Sequence, residues 1–432
     1  MRETKESRSG RKRDRSRTYD VVLWGATGFT GTLVAEYLVN RYGDTDLRLA
    51  LAGRNQSRLE RVRDELVKTT RHPKRASALP LLVGDSYDVA SLEKIVKEAE
   101  VVCSTVGPYA KYGSALVASC VEHGTDYCDL TGEVQFIRRM IDAHHERAES
   151  TGARIVHCCG FDSIPSDLGT FLLHRSLRDQ LDSQLTAVKM FAGESRGGFS
   201  GGTTASFLHL LEEAQEDPAI RQLLVDPYSL CPDGARHGPD GADQRSVRYD
   251  SDLEMWTGPF LMAGINTRVV RRSNALLDYP YGRSFRYSEA MSFGSGPKGA
   301  LLSGAVTAGL GGMLAAAMLP RARGLMQRWV LPKPGEGPSR EQRQRGYFVM
   351  RLLAKGEDRQ GNVVTARARV AGDQDPGYGE TAKMLAESAL CLALQGEQIE
   401  CGGGIRTPAS TMGALLIERL QQASMVFSVD FQ

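Results

Sequence analysis

The sequence predicts a two-domain α/β protein in which a doubly wound parallel sheet comes first and an α+β domain follows. From residue 19 to about residue 160, short apolar runs alternate with amphipathic stretches, as parallel strands alternate with their crossover helices. The chain has 432 residues, which exceeds the usual size of one domain, so a second hydrophobic core is expected. The first domain is therefore predicted to be Rossmann-like and to cover residues 19–160.

Six strands of this sheet are predicted from apolar runs that end in glycine, proline or polar residues. They cover residues 21–24, 47–51, 80–83, 101–104, 126–129 and 154–157. Helices are predicted between them, near residues 29–42, 57–68, 89–98, 114–123 and 133–150. Ligands of open α/β sheets bind beyond the carboxyl ends of the strands, so the residues that follow a strand are the first candidates for a site.

The first strand runs into a glycine-rich turn, Gly25-Ala-Thr-Gly-Phe-Thr-Gly31, which a helix follows at once. Glycine permits a tight turn and a close approach of the backbone to a pyrophosphate, and the free N–H groups at a helix start attract an anion. The glycines are spaced Gly-x-x-Gly-x-x-Gly rather than Gly-x-Gly-x-x-Gly, but the strand and helix around them favour a dinucleotide site. The residues predicted to bind the cofactor in this turn are Gly25, Thr27, Gly28, Phe29, Thr30 and Gly31.

Arg54 predicts which dinucleotide is bound, because it follows the second strand where the ribose 2′ position is read. An acidic residue there would accept a hydrogen bond from the 2′-hydroxyl of NAD, whereas an arginine suits the 2′-phosphate of NADP. NADP is therefore the predicted cofactor. Asp85 follows the third strand and is predicted to reach the adenine edge, or alternatively to cap the next helix. Gly107 and Pro108 follow the fourth strand and are predicted to lie beside the cofactor.

Three polar residues are candidates for catalysis. Tyr109 is expected at the nicotinamide end of the cofactor, either as a donor of a hydrogen bond or proton or as an aromatic wall against the ring. Asp129 ends the fifth strand, and Asp162 lies in Gly160-Phe-Asp-Ser163. Both aspartates are predicted to face the crevice, and the alternative for both is to cap a following helix. The eight histidines show no spacing typical of metal ligands, so no metal is predicted.

Composition restricts the partners and the compartment. The first 17 residues carry eight lysines or arginines against three acids and almost nothing apolar, so residues 1–18 are predicted to be a disordered basic tail. This tail lacks the apolar segment of a secretory signal. The formal net charge of the chain is +2, which predicts no nucleic-acid partner. The eight cysteines form no Cys-x-x-Cys pair and predict buried thiols in a reducing cytoplasm.

The second domain is predicted to bind the substrate and to cover residues 161–405. A strand at residues 185–191 leads into Gly197-Gly-Phe-Ser-Gly-Gly-Thr-Thr204, and a helix is predicted to follow at residues 205–215. Gly201, Gly202 and Thr203 are predicted to hold a second anion, such as the phosphate of a phosphopantetheine arm. The alternative is a tight strand-to-helix turn that Thr203 or Thr204 caps.

The remaining elements of the second half are a loop, two paired strands and two helices. Residues 226–252 are rich in Pro, Gly, Asp and Arg and predict a long surface loop, interpreted as a lid or docking element. Strands are predicted at residues 347–354 and 362–370, and helices at residues 381–394 and 407–420. The last of these helices belongs to residues 406–432, which are predicted to pack back on the first domain.

Residues 299–320 contain no charged residue and much Ala, Gly and Leu. The segment is just long enough to span a bilayer, but its five glycines weaken it as a lone helix. Three interpretations are open, in order of preference. They are a buried hairpin or packing helix, an element that touches a membrane or an acyl chain, and a true membrane span.

Five motifs of the first 167 residues resemble a known family. They are Gly25-Ala-Thr-Gly-Phe-Thr-Gly31, Ala52-Gly-Arg54, Thr105-Val-Gly-Pro-Tyr109, Asp126-Tyr-Cys-Asp-Leu-Thr-Gly-Glu133 and Cys159-Gly-Phe-Asp-Ser-Ile-Pro-Ser-Asp167. These resemble the saccharopine dehydrogenase-like oxidoreductases. Four later motifs resemble one branch of that family, the trans-acting enoyl reductases that serve polyketide synthases making phthiocerol-type lipids. They are Gly197-Gly-Phe-Ser-Gly-Gly-Thr203, Asn266-Thr-Arg-Val-Val-Arg-Arg-Ser-Asn-Ala-Leu-Leu-Asp278, Tyr281-Gly-Arg-Ser-Phe-Arg-Tyr-Ser-Glu289 and Asp375-Pro-Gly-Tyr378.

The resemblance, from about residue 19 to residue 425, implies NADP-dependent reduction of an enoyl thioester in long-chain lipid biosynthesis. The implied partner is an acyl carrier domain of a polyketide synthase, and the implied location is the cytoplasm, with peripheral contact at the plasma membrane. A homodimer is a further expectation. The enzyme alternative is an oxidoreductase of imines or amino acids, for which Arg268, Arg271 and Arg272 are the nearest approach to a site for two carboxylates. The other alternative is a lipid-surface protein that binds NADP without turnover.

Overall fold

The structure is a computed structural model that describes residues 16–197, 201–319, 321–324 and 337–431, and only the backbone of residues 201–204. Its strands are β1 (Tyr19–Trp24), β2 (Leu49–Gly53), β3 (Leu81–Val83), β4 (Ala99–Ser104), β5 (Asp126–Asp129), β6 (Arg154–Val156), β7 (Gln184–Arg196), β8 (Arg248–Asp250), β9 (Met255–Gly258), β10 (Arg286–Ser292), β11 (Tyr347–Glu357), β12 (Val363–Gly372), β13 (Gly404–Arg406) and β14 (Val426–Phe431).

The helices whose two ends are described are α1 (Phe29–Tyr42), α2 (Gln56–Thr69), α3 (Pro73–Ser77), α4 (Val89–Glu98), α5 (Tyr109–Tyr112), α6 (Ser114–Glu122), α7 (Val134–Thr151), α8 (Ile164–Leu181), α9 (Gly201–Glu216), α10 (Pro218–Val225), α11 (Ala263–Leu276), α12 (Gly296–Met318), α13 (Arg340–Gln344), α14 (Thr381–Leu394), α15 (Pro408–Thr411) and α16 (Gly413–Gln422). A π-helix, Pro376–Glu380, leads into α14.

The first sheet has seven parallel strands in the order β13-β6-β5-β4-β1-β2-β3. Trp24 at the end of the central strand β1 lies level with Ser104 of β4 on one side and Ala52 of β2 on the other. Val21 and Leu23 are fully buried, as expected of strands that helices cover on both faces. The strand order reverses between β1 and β4, which places the ligand crevice there. The predicted Rossmann-like doubly wound sheet is confirmed, and all six predicted strands form it.

The sequence does not predict the seventh strand of this sheet. β13 pairs in parallel with β6, although all strands of the second sheet except β14 lie between them in the chain. Its three residues show no periodicity from which a strand could be recognised. The predicted limit of the second domain at residue 405 falls inside β13, and the division of the chain into domains stays a prediction.

The second sheet has seven strands in the order β14-β12-β11-β7-β10-β9-β8. Its pairs are antiparallel except for β7 with β10. The predicted strands at residues 185–191, 347–354 and 362–370 are confirmed as β7, β11 and β12. Helix α8 packs on this sheet at Gly169, where a Cβ would lie 3.0 Å from a methyl group of Leu352. This layer is the predicted α+β part of the fold.

Helix α14 packs on the first sheet, and its bounds match the predicted helix at residues 381–394. All of its residues except the last are buried, and it packs against α1 and against β1, β4 and β5. The buried Glu387 accepts hydrogen bonds from Tyr37 at 2.6 Å and from Tyr42 at 2.7 Å. It also pairs with Arg419 of α16 at 2.7 Å. This carboxylate therefore joins α1, α14 and α16.

The C-terminal helix expected at residues 407–420 is two helices, α15 and α16. Gly413 opens α16 with a φ of +41°, a conformation in which a side chain would be strained. Arg419 donates a hydrogen bond to the hydroxyl of Tyr42 in the first domain at 3.0 Å. The chain then continues into β14, which pairs with β12 of the second sheet.

The contacts of Arg17 contradict the predicted end of the N-terminal tail at residue 18. Its guanidinium donates to the carbonyls of Val96 at 2.8 Å, Ala99 at 2.9 Å and His123 at 2.8 Å, and to Thr125 Oγ1 at 2.6 Å. An arginine has five N–H donors, so one side chain satisfies several carbonyls at the end of α4 and of α6. The basic tail therefore ends before Arg17, and residues 1–15 lie outside the described part of the chain.

Helix α12 contradicts the preferred interpretation of residues 299–320. It is one helix, and by length and composition it could cross a membrane, with a mean hydropathy of 1.6 in its most apolar window. Only 11% of that window is buried, so it is not a buried hairpin or packing helix. Leu301 is 76% exposed and Leu319, just past the helix end, is 61% exposed. The helix is apolar all round, so burying one face still leaves apolar side chains exposed on the others.

Candidate functional site

The glycine-rich turn has the geometry of an anion cradle. Gly25 has a φ of +89°, and a Cβ there would lie 2.5 Å from Val106. A Cβ on Gly31 would lie 2.2 Å from the carbonyl oxygen of Gly25, so both positions require glycine. Gly28 precedes α1 and provides no side-chain cap, which leaves the first N–H groups of the helix for a ligand.

The other predicted residues of this turn surround the cradle. Thr27 faces the end of β2, because a Cβ on Gly53 would lie 3.8 Å from its hydroxyl. Thr30 lies half-buried in the first turn of α1. The ring of Phe29 packs edge-on against Tyr378 at 5.0 Å between centroids. Phe29 therefore also ties the turn to the π-helix of the second domain.

Arg54 is exposed directly after β2 and forms no hydrogen bond with the described residues. The adjacent Asn55 caps α2, so the cap leaves Arg54 available for a phosphate. Asp85 does not cap the next helix, because Asp88 does so through the N–H groups of Ala90 and Ser91. The carboxylate of Asp85 instead accepts from the N–H of Tyr87 at 2.9 Å. Binding of the 2′-phosphate and of adenine by Arg54 and Asp85 stays a prediction.

The loop after β4 is fixed by a residue that the sequence analysis missed. Glu133 accepts hydrogen bonds from the N–H groups of Tyr109 at 2.8 Å and Ala110 at 2.9 Å, at the start of α5. Burial raises the pKa of Glu133. Gly107 and Pro108 are joined by a cis peptide bond, and a Cβ on Gly107 would lie 3.4 Å from the hydroxyl of Ser206 in α9. Helix α9 therefore borders this loop.

The hydroxyl of Tyr109 points into the first domain. It donates to the carbonyl of Ser104 at 3.0 Å, and the side chain is only 3% exposed. Burial, with the charge of Asp129 as the next cause, raises the pKa of Tyr109 well above its usual value. A role of Tyr109 as proton donor stays a prediction, and it would require the hydrogen bond to Ser104 to break.

Asp129 is fully buried at the end of β5, and both of its carboxylate oxygens are occupied. They accept from the hydroxyl of Tyr127 at 3.0 Å and the N–H of Thr131 at 3.1 Å, and one contacts Nδ1 of His157 at 2.8 Å. The sequence analysis missed His157, whose only signal is a polar residue in the apolar run Ile155-Val-His-Cys-Cys159. This arrangement fits Asp129 for positioning His157 and the ends of β5 and β6.

Asp162 has a different environment. It is half-buried, and a Cβ on Gly132 would lie 3.6 Å from its Oδ2 and 3.9 Å from Ile265 and Met262. No described residue donates a hydrogen bond to its carboxylate, and burial raises the pKa of Asp162 to about 6. A carboxyl of this kind keeps a protonated fraction near neutral pH that an unperturbed aspartate lacks, and it can donate that proton.

The structure excludes helix capping as the role of either aspartate. Helix α7, which follows Asp129, begins after Glu133, and helix α8 begins after Ser163. The crevice therefore brings together the turns after β4, β5 and β6. Tyr109 follows β4, Asp129 ends β5 and Asp162 follows β6. Their roles in catalysis stay predictions.

Three other carboxyls have a pKa raised by burial to about 7: Asp167, Glu289 and Glu380. All three are buried and hold internal partners. Asp167 accepts from Ser273, Glu289 accepts from Tyr287 at 2.7 Å, and Glu380 pairs with Lys383 at 2.9 Å. Asp162 differs from these three carboxyls because it combines a raised pKa with partial exposure.

The predicted acyl-binding turn lies largely outside the described residues. Residues 198–200 are not described, and α9 begins at Gly201. The backbone of Gly201, Gly202 and Thr203 belongs to the first turn of α9, and the role of these residues stays a prediction. Gly197, which precedes them, lies against the second domain, because a Cβ there would lie 2.5 Å from Asp375 Oδ2.

The three arginines of α11 do not form a carboxylate-binding site. Arg268 pairs with Asp243 and Arg271 pairs with Asp240, both at 2.7 Å. Arg272 donates to two backbone carbonyls, and burial lowers its pKa to about 9. All three are buried, and their guanidinium groups pair with or donate to residues of the loop at 226–247 or of β13. These contacts hold the loop against α11, and its interpretation as a lid or docking element stays a prediction.

No group of three or more potential metal ligands occurs among the described residues. The parallel sheet, the glycine cradle and the arginine after β2 define an NADP-dependent oxidoreductase. Residues 21–156 match the family model of the saccharopine dehydrogenase NADP binding domain, which confirms NADP as the cofactor.

The comparisons identify the family over nearly the whole chain. A trans-acting enoyl reductase of Mycobacterium ulcerans is 41% identical over 95% of this chain and 98% of its own. A Mycobacterium tuberculosis protein, provisionally named a trans-acting enoyl reductase, is 45% identical over 95% of this chain and 97% of its own. The saccharopine dehydrogenase of Saccharomyces cerevisiae, with a TM-score of 0.51 at 11% identity, covers 95% of this chain and 99% of its own and shares the fold. The chain belongs to the saccharopine dehydrogenase-like family, in the branch of the trans-acting enoyl reductases.

Proposed function

We propose that this protein reduces the carbon–carbon double bond of an enoyl thioester, in the cytoplasm, during the assembly of a long-chain lipid. The thioester is carried by the acyl carrier domain of a polyketide synthase. The observation that supports this most directly is the carboxyl of Asp162, which lies in an apolar setting with a pKa raised to about 6. Enoyl reduction needs one proton at the α-carbon, and a carboxyl beside the crevice whose raised pKa keeps part of it protonated near neutral pH can supply it.

The residues of the site have separate tasks in this proposal. NADPH, when bound in the glycine cradle, supplies the hydride for the β-carbon. Asp162 gives its proton to the α-carbon as the enolate collapses. Asp129 and Glu133 keep the turns after β4, β5 and β6 in place through their hydrogen bonds. Positioning of this kind lowers the barrier because the reacting groups are oriented before the reaction.

The arginines of α11 support a thioester rather than an amino-acid substrate. A dicarboxylic amino acid or imine requires free cations, and Arg268, Arg271 and Arg272 are buried and already paired or hydrogen-bonded. Releasing one of them would leave a buried carboxylate or carbonyl without its partner, which is costly.

Helix α12 extends the proposal to the lipid environment. Its exposed leucines, together with the basic Lys298 and Arg321 near its ends, fit contact with the surface of an anionic membrane. We propose peripheral attachment there, with the acyl chain delivered beside the apolar helix. Gly201, Gly202 and Thr203 are proposed to receive the phosphopantetheine arm. A homodimer stays a prediction.

The test is a steady-state assay of the full chain with NADPH and a series of substrates. Short and long enoyl thioesters, free and on a carrier domain, are compared with imines of dicarboxylic acids, and the absorbance of the reduced cofactor is followed. Catalytic efficiency should rise with acyl length and with presentation on the carrier, because remote binding energy helps to position the reacting carbons. Equal efficiency across the series, or a preference for the imines, would contradict the proposal.

A further inference from the structure

A cavity with a volume of about 490 Å³ lies along one side of α1. Its walls come from α1, the end of α2, α13 and the π-helix before α14. Four arginines line it: Arg41, Arg71, Arg340 and Arg343. We call it the basic cavity. Its α1 residues begin at Leu33, one turn beyond Phe29, so it is separate from the cradle for the cofactor.

The charges around the basic cavity do not balance. Glu36 is the acid among its described lining residues, and Arg340 pairs with it at 3.0 Å. Arg41 lies 3.6 Å from the buried Glu387, which also pairs with Arg419. The lining therefore keeps an excess of positive charge after these pairs are counted.

Arg71 and Arg343 carry this excess. Neither forms a salt bridge with the described residues, and Arg343 donates to the carbonyl of Pro338 at 2.7 Å. Burial, with a smaller effect of the neighbouring Arg340, lowers the pKa of Arg343. A half-buried cation in that situation gains most from an anion beside it.

We infer that the basic cavity binds the phosphate group of a small phosphorylated ligand. Guanidinium groups match phosphate oxygens through paired, charge-assisted hydrogen bonds, and several arginines around one cavity suit a dianion. The volume is in the range of small-molecule sites. Asn40, Gln344 and Gln374 also line the cavity and provide amides for the uncharged part of the ligand. This inference does not depend on the reaction proposed above.

The basic cavity also contacts the glycine-rich turn through one pair of side chains. The guanidinium of Arg343 lies 5.5 Å from the centre of the Phe29 ring, and Phe29 is the first residue of α1. An anion held by Arg343 would therefore act on the residue that opens the anion cradle. The ligand class that follows is a phosphate monoester whose occupancy is communicated to the dinucleotide site.

The test is calorimetric titration of the full chain, saturated with NADP⁺ in a phosphate-free buffer, with inorganic phosphate and with a nucleoside 5′-monophosphate. Saturation with NADP⁺ is verified for each variant, so that the probe cannot enter the cofactor site. Arg71→Gln and the double variant Arg71→Gln/Arg343→Gln are compared with Arg61→Gln, a matched change of an exposed arginine on α2. Thermal melting shows whether each variant is folded. Because Arg71 is exposed, its replacement should leave the packing of the protein unchanged.

One equivalent of probe should bind the wild type and Arg61→Gln. The affinity for the probe should fall about tenfold or more in Arg71→Gln and further in the double variant, because each change removes charge-assisted hydrogen bonds. Tighter binding of the nucleotide than of phosphate would show that the cavity also reads the organic part. The inference is overturned if the wild type shows no saturable binding at millimolar probe, or if the arginine changes leave the affinity unaltered.

Discussion

Asp129 and Asp162 follow neighbouring strands but have opposite environments. Asp129 receives hydrogen bonds on both oxygens, whereas Asp162 receives none from the described residues and lies near Gly132, which Ile265 and Met262 also approach. Hydrogen-bond donors stabilise a carboxylate, and apolar neighbours destabilise it. The environment therefore fits Asp129 for holding a position and Asp162 for releasing a proton.

The first prediction concerns the pH dependence of catalysis. An acid donor acts in its protonated form, and that fraction falls as pH rises through its pKa, here about 6. The kcat/KM of the wild type should therefore fall as pH rises through about 6. Asp162→Asn should lower kcat about a hundredfold or more and remove this limb, whereas Asp179→Asn, on the exposed face of α8, should change neither. A retained limb in Asp162→Asn would assign the proton to another group.

The same residue has a predicted effect on stability. Because the pKa of Asp162 is raised from 3.8 to about 6, the folded state binds this proton more tightly than the unfolded state does. The resulting destabilisation is absent below pH 3.8 and is complete above about pH 6. Asp162→Asn should therefore raise the free energy of unfolding at pH 8, by up to about 3 kcal/mol, and leave it nearly unchanged at pH 4. Urea denaturation at the two pH values measures this difference.

A third prediction concerns Arg54 and the choice of cofactor. Arg54→Asp replaces a potential bidentate contact with the 2′-phosphate by repulsion, so the Kd for NADPH should rise about tenfold to a hundredfold more than the Kd for NADH. Fluorescence titration with both cofactors measures this, with Arg61→Asp, a change of an exposed arginine on α2, as control. Equal losses for the two cofactors would show that Arg54 has a structural role.

The residues of the site could be predicted in part. The glycine turn and Arg54 follow from a local motif, because the strand, turn and helix are contiguous in sequence. Glu133 and His157 could not be predicted, since their roles depend on contacts across the ends of different strands. Capping by Asp85 was also wrong, because Asp88, three residues later, occupies the cap.

Helix α12 is an element whose composition and environment disagree. It has the apolar character of a core helix, yet Leu301 and Leu302 are 76% and 52% exposed. Exposed apolar surface of this extent marks a binding surface on a soluble protein. Sequence composition could show that the helix is apolar, but the packing partner that decides between a core and a surface role is not encoded locally.

The fourth prediction tests this surface. Leu301→Gln/Leu302→Gln should reduce binding of the full chain to vesicles containing anionic phospholipid about tenfold, because each change removes exposed apolar area from the contact. Cosedimentation measures this binding. Val363→Gln changes a 68% exposed apolar residue far from α12 in the chain and should have no effect. Equal binding of all three proteins would exclude α12 as the contact.

At the scale of the whole molecule, the two sheets share one hydrophobic core. A single cluster of buried side chains includes Leu23 of the first sheet, Leu352 of the second and Leu385 of α14. Thermal or urea unfolding should therefore follow one transition. The sequence predicts both layers from their periodicity, but it cannot show that their buried faces join in one cluster, because an amphipathic pattern does not specify its packing partner.

The fifth prediction concerns the carboxylate at this junction. Glu387→Gln leaves Arg419 and Arg41 without their shared buried anion, so the free energy of unfolding should fall by about 3–5 kcal/mol. Glu397→Gln, an exposed change just after α14, is the control. A loss below about 1 kcal/mol would show that the network of Tyr37, Tyr42 and Arg419 compensates for the charge.

The late position of β13 has a consequence for the synthesis of this protein on the ribosome. The first six strands of the parallel sheet emerge early, but β6 remains an open edge until Gly404–Arg406 has left the exit tunnel. An unpaired edge can associate with strands of other chains while it waits. We therefore expect the growing chain to keep this edge open while the strands from β7 to β12 are being made, which gives it more time for mispairing than a sheet that closes from contiguous sequence.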